Sequence, residues 1–201
     1  MRINNLNYLK SNYKMNNKIK NRKDLQYFLK EDFKHMGGAH SFMLFRWIVG
    51  EENARMKLYL WVLRHLEFYT NVKVPIIGIF LKLFFEIWHR RQCFKYGVHI
   101  GKNVCGYGLR IVHIGGIHVN ANNVGNYFSV TQGCVIGNKR TADDRPVVGN
   151  HVQFTLGAKA IGGVHIGDNS IICPNSVVIK DIPENCIASG VPVCIIKERK
   201  K

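Results

Sequence analysis

Residues 148–178 read VGNHVQFTLGAKAIGGVHIGDNSIICPNSVV, and every sixth position is apolar: Val148, Phe154, Ala160, Ile166, Ile172 and Val178. Upstream, Val124, Val130 and Ile136 keep the same step. Four places after most of these sits a small or apolar residue: Phe128, Cys134, Val152, Ala158, Val164, Ser170 and Ser176. Gly or Asn often fills the gap, as in Ile166-Gly167-Asp168-Asn169. A helix repeats about every 3.6 residues and a strand about every two, so neither sustains this beat. A period of six predicts a parallel β-helix in which each hexad is one short strand and a turn.

The beat has two irregularities. Residues 137–147, GNKRTADDRPV, carry both signs of charge and no core position, which predicts a loop extruded from the prism. The glycine-rich stretch from Ile100 to Gly116 reads as a frayed first turn of the coil.

Outside the repeats the chain changes character. Residues 1–22 are rich in Lys and Asn and lack an apolar run, so they are expected to be a basic, disordered leader and no secretory signal. Leu25, Phe28, Leu29 and Phe33 follow helical spacing, and Gly37-Gly38 breaks it. A second helix is expected over about 40–49 and a third over about 52–70, with Met56, Leu60, Leu63, Leu66 and Tyr69 on one side. Pro75 can open a fourth that ends near Phe94. The expected layout is a helical domain over 23–95, a β-helix over 96–183, and a tail over 184–201 that leaves the prism.

Segment 74–88, VPIIGIFLKLFFEIW, is the most apolar stretch, yet it has 15 residues and contains Lys82 and Glu86. Spanning a bilayer takes about 20 helical residues, so it does not read as a membrane span. A buried helix is one reading. The other is peripheral membrane contact through 74–91, with His89-Arg90-Arg91 at the polar end.

The formal net charge is +16. Residues 1–97 hold 18 Lys/Arg against 7 Asp/Glu, and 98–201 hold 11 against 6. Much of the excess lies in the leader and the terminal Lys-Glu-Arg-Lys-Lys, and no nucleic-acid module accompanies it, so no nucleic-acid partner is expected. The six cysteines form no C-x-x-C pair and read as free thiols.

Four stretches together cover nearly the whole C-terminal half: GYGLRIVHIGGIHVN (106–120), SVTQGCVIGN (129–138), LGAKAIGGVHIGDNSIICPNSVVIKDIP (156–183) and SGVPVCII (189–196). They resemble the hexapeptide-repeat acetyltransferases, and among these the serine acetyltransferase group, including members linked to capsular and surface polysaccharides. The resemblance implies a left-handed β-helix capped by the helical domain, a homotrimer (with pairing of trimers left open), and a cytoplasmic location. It implies acetyl-CoA in a groove between two prisms and a small hydroxyl-bearing acceptor, with serine the family's own.

Residue by residue, the resemblance makes His113 the general base. An acceptor hydroxyl must lose its proton as it attacks a thioester, and imidazole titrates near neutral pH. Asp144-Arg145-Pro146 resembles the family's Asp-Arg-His-Pro with the His missing; Asp144, Arg145 and Gln132 are the candidate acceptor-binding residues. Tyr107 and Asn120 are further candidate lining residues. Gly137, Leu156, Gly157 and Pro174 match CoA-contacting turns, and Lys180 and Lys197 are candidates for its phosphates. No metal is expected. Where the family has an Asp before the His and another one coil earlier, this chain has Val112 and Val98. Orientation of His113 then falls to a backbone carbonyl, or to Glu86 or Asp144 from elsewhere in the trimer. Two other readings stay open: an acetyltransferase acting on a sugar or polysaccharide, and a catalytically silent scaffold. Because the chain ends in Lys201 where docking family members end in Ile, no tight complex with the next enzyme of cysteine synthesis is expected.

Overall fold

The computed structural model describes residues 18–38, 43–141 and 143–198. The leader up to residue 17, the start of the expected second helix and the last three residues lie outside the described residues.

Helix α1 spans Arg22–His35. The Asn21 side chain accepts the Asp24 N–H at 2.9 Å, and Asp24 in turn accepts the Lys20 N–H at 2.8 Å, so the helix start is capped reciprocally. Helix α2 spans Met43–Ile48, α3 Glu52–Asn71 and α4 Ile77–Tyr96. Gly97, left-handed at φ 61°, closes α4 and turns the chain directly into the first strand.

From there the chain coils through three parallel faces. The first face stacks β1 (Val98–Ile100), β3 (Ile117–Val119), β6 (Val135–Gly137), β9 (Lys159–Ile161) and β12 (Val177–Val178). The second stacks β4 (Asn123–Val124), β7 (Val147–Val148) and β10 (His165–Ile166). The third stacks β2 (Arg110–Ile111), β5 (Ser129–Val130), β8 (Gln153–Phe154), β11 (Ile171–Ile172) and β13 (Cys186–Ser189), with β14 (Cys194–Glu198) added antiparallel at the end. The hexad residues point inward and none is more than 1% exposed. Burying each Val, Ile or Phe contributes about 1.5–3 kcal/mol, which holds strands of two or three residues together. Ser170 and Ser176 sit in the same core because their hydroxyls are bonded, Ser170 to the Pro183 carbonyl at 2.9 Å and Ser176 to the Gly190 N–H at 3.0 Å.

The structure corrects three boundaries. The prism does not end at 183: Ile182 bridges Ile166, and Ile187 pairs with Ile171, completing one more coil. The hexad spacing is lost there because the step from Ile171 to Ile187 is shorter than the Lys159 to Val177 step above it. The stretch 100–116 is not frayed but forms the first coil, with Cys105 bridging Val124. The extruded loop is 138–146, because Gly137 and Val147 belong to strands.

The helical domain shares one core with the first coil: Met56, Tyr59, Leu60 and Leu63 pack with Val98, Ile100 and Val104. A fully buried ion cluster locks the two together. Arg64 on α3 binds Asp32 of α1 at 2.8 Å and Glu67 at 2.9 Å. Its guanidinium also donates to the carbonyls of Cys105 (3.0 Å) and Gly106 (2.6 Å). Asp32 accepts the Leu109 N–H and Glu67 the Asn103 N–H, each at 2.8 Å. The turn 103–109 is thus held by four backbone bonds to three side chains of the helices.

His89 on α4 is buried 3.2 Å from the Tyr59 hydroxyl. Burial pushes its pKa down to about 4. The unfolded chain therefore takes up this proton more readily than the folded one. Its contribution is complete above pH 6.5 and is lost as pH falls toward 4, on the order of 3 kcal/mol in all. Denaturant unfolding at pH 7 and pH 4.5 should show the drop, and His89→Gln should shrink it. An equal drop in the variant contradicts this.

Candidate active site

Three turns separate the faces, and the candidate residues sort onto them. His113 lies where the third face passes into the first, between β2 and β3. Its imidazole is exposed, and Nδ1 stands 3.3 Å from Glu52 Oε2. The other oxygen, Oε1, accepts the Ile114 N–H at 2.5 Å. Glu52 is the first residue of α3, where a carboxylate also offsets the helix dipole. One carboxylate therefore fixes both the backbone and the ring at this corner. A carboxylate at Nδ1 favours the tautomer with its N–H there and leaves Nε2 as an acceptor facing outward.

The corner is built from stacked left-handed residues. Gly97, Gly116, Gly133, Gly157 and Asn175 all have positive φ, from 56° to 73°. A Cβ at Gly116 would lie 3.4 Å from the Gly133 Cα, and one at Gly133 3.4 Å from the Gly157 Cα. Close stacking and left-handed backbone together call for glycine at these turns. Gln132, Leu156, Gly157 and Pro174 occupy successive rungs of this same corner below His113. Leu156 and Pro174 are exposed. The Gln132 side-chain carbonyl is buried without a partner among the described residues.

The other candidates lie on the next corner, between the first and second faces. The loop 138–146 leaves from Gly137, and Asn122 ties it down by donating to the carbonyls of Asp143 and Arg145. Arg145 Nη1 donates to Asn120 Oδ1 at 3.2 Å, and Asp144 accepts the Gly163 N–H. Lys180 lies on this corner too. With Lys139, Arg140 and Asp144 it borders an open groove of about 670 Å³. Lys139 and Arg140 were not singled out from sequence, where charged loop residues look like any solvated surface.

Within one chain, Glu86 is bound to Lys102 at 2.7 Å and Arg90 at 3.3 Å, and Asp144 lies on another corner from His113. The carboxylate that meets His113 in the same chain is Glu52. Val98 is fully buried in the prism core, whereas Val112 is half-buried beside His113. Tyr107 is on the third corner, edge-on to Tyr127 at 5.4 Å, with His151 stacked beyond at 4.8 Å. Lys197 is exposed on β14, paired with Ile187 of the third face. Cys105 is inert as a nucleophile, since burial pushes its thiol up to about 12. Among the described residues no group of three or more His, Cys, Asp or Glu is placed to hold a metal ion.

The three-faced coil capped by helices is a left-handed β-helix, the fold of the solved serine acetyltransferases it resembles. In sequence the chain is similar to serine acetyltransferases over about half its length. It is 33% identical over 102 residues to the serine acetyltransferase of Synechococcus elongatus, covering 49% of this chain and 41% of that protein. It is 38% identical over 117 residues to the galactoside O-acetyltransferase of Escherichia coli K12, covering 52% and 57%. Its fold is similar to that of the serine acetyltransferase of Brucella abortus strain S19 solved with coenzyme A, with TM-score 0.60, 21% identity, and coverage of 89% of this chain and 70% of that one. The chain thus spans less than half the length of the Synechococcus relative. No protein-family model matches it.

Proposed function

We propose that this chain is an acetyl-CoA-dependent O-acetyltransferase whose site forms between neighbouring protomers of a homotrimer. The observation that carries the reading is the Glu52–His113 pair: an exposed imidazole held by a carboxylate at one nitrogen and open at the other. Nε2 takes the proton of the acceptor hydroxyl as its oxygen bonds to the thioester carbonyl carbon. The carbon–sulfur bond then breaks, and the imidazolium returns the proton to the leaving thiolate. No acyl-enzyme is needed. The similarity to a serine acetyltransferase solved with coenzyme A supports the donor.

The placement of the candidates supports a trimer. His113, Gln132, Leu156, Gly157 and Pro174 share one corner, while Gly137, Arg145 and Lys180 share the next. Side-by-side prisms of a cyclic trimer set the first corner of one copy against the second corner of its neighbour. Acetyl-CoA would lie in that groove, its acyl end near His113 and its phosphates near Lys139, Arg140 and Lys180.

Serine is the acceptor by likeness to the curated relatives. A sugar hydroxyl is the second reading, favoured by the apolar Val112 beside His113 and by the galactoside relative. The test is an acceptor screen following thiol release from acetyl-CoA, with serine, serine derivatives, amino sugars and galactosides. Release above the acceptor-free rate by none of these, in protein that binds acetyl-CoA, would count against both acceptor readings and favour the silent scaffold.

Glu52→Gln is expected to lower kcat by about ten- to a hundredfold, with little change in the KM for acetyl-CoA, because it loosens the ring without removing it. Unchanged turnover would remove Glu52 from this role.

A further inference from the structure

Helix α4 meets the protein with one face and leaves the other bare. Gly78, Phe85, His89, Gln92, Cys93 and Tyr96 are buried against the rest of the chain. On the far side Ile76, Ile77, Phe80, Leu83, Phe84 and Ile87 fall at helical spacing and are 47–74% exposed. They form a continuous apolar stripe about 16 Å long. Contiguous apolar surface of this kind marks an interaction site, whereas single exposed apolar residues need no explanation.

The surroundings of the stripe are basic. Arg90, Arg91 and Lys95 are exposed on its last two turns beside Phe94, which is 80% exposed. Lys73 and Lys82 are exposed at its start and flank. The acidic residue of α4, Glu86, is already bound to Lys102 and Arg90. Arg91 borders a hollow with Phe84, Ile87 and Trp88, which sets a cation beside the apolar surface.

That sign of charge selects the occupant. A second copy of α4 docking symmetrically would bring two identical sets of cations together. The chain's own first 17 residues carry Arg2, Lys10 and Lys14 and no Asp or Glu, so they repel the same border. An anionic lipid surface satisfies both parts: acyl chains and interfacial depth for Ile and Phe, headgroup charge for Arg and Lys. Among the described residues no helix is long and apolar enough to cross a membrane.

We propose that α4 is an interfacial helix that lays its outer face on an anionic bilayer surface. The proposal does not depend on the acyl-transfer reading. The test is sedimentation of the full chain with vesicles of phosphatidylcholine alone, or with about one-third phosphatidylglycerol. Binding is expected to be at least about tenfold stronger to the anionic vesicles and to weaken with added salt. The double replacement Phe80→Glu with Phe84→Glu is expected to reduce it about tenfold or more, with melting temperature and elution volume on gel filtration unchanged. Arg90→Gln with Arg91→Gln should weaken the preference for anionic lipid and leave residual binding to both vesicles. Failure of the native chain to bind, or equal binding by the Glu variant, overturns the proposal. So does a native assembly that the Glu variant splits without any vesicle binding, which would make the stripe a contact between copies.

Discussion

His113→Ala is expected to lower kcat for acyl transfer by about a hundred- to ten-thousandfold while acetyl-CoA binding is retained. The size follows from what the ring does. Without a base the acceptor hydroxyl attacks with its proton still on, and only positioning by the groove remains. The side chain is 55% exposed and its bond is to Glu52 alone among the described contacts, so its removal leaves the core intact. Thermal melting of the variant should match the native chain, which separates a chemical loss from unfolding. His113→Gln should be nearly as slow, because an amide can hold the Glu52 bond but cannot take the proton. A variant with near-native turnover would mean that another group accepts the proton, and the proposed mechanism would be wrong.

Arg64→Ala is expected to have the largest effect on stability, about 3–5 kcal/mol, enough to unfold a domain of ordinary stability. Removing the guanidinium leaves Asp32 and Glu67 fully buried with no counter-charge. It also orphans the carbonyls of Cys105 and Gly106. Lys cannot substitute, since a single ammonium cannot reach two carboxylates and two carbonyls from one fork. An all-apolar replacement of the three side chains would still strand the N–H groups of Asn103 and Leu109. Denaturant unfolding of Arg64→Ala and Arg64→Lys measures this, and a loss below about 1 kcal/mol for Ala would contradict it. The turn so held, 103–109, is the backbone that feeds β2 and then His113. Partial loosening here should therefore also slow the chemistry.

The prism was legible because its rule is local. Each hexad carries its own inward residue, so Val124 through Val178 announced the coil without any knowledge of partners. The last coil escaped because its step shortens, and Ile182 and Ala188 fall off the beat although both are buried. His113 was legible through the glycine-rich stretch around it, a local pattern again. Glu52 was not. It lies 61 residues upstream, at a helix start where an acidic residue ordinarily serves the helix alone, and only the docking of α3 on the first coil brings it to the ring. The separation of the candidates onto two corners was equally hidden, because it depends on how many faces the chain turns between Gly137 and Gly157. Burial of Val98 follows from the same geometry: a position can match a pocket residue in register and still point inward.

The claim that joins these observations is that the working site takes one corner from each of two neighbouring chains. Mixing subunits tests it. His113→Ala and Arg145→Ala chains, each expected to be nearly inactive alone, are co-expressed and purified together. In a cyclic trimer every mixed assembly contains one junction where an intact His113 meets an intact Arg145, so random mixing should restore about a quarter of the native thiol-release rate. Activity that stays at the level of the separate variants, with mixed trimers present, would place both residues' work within a single chain and contradict the shared site.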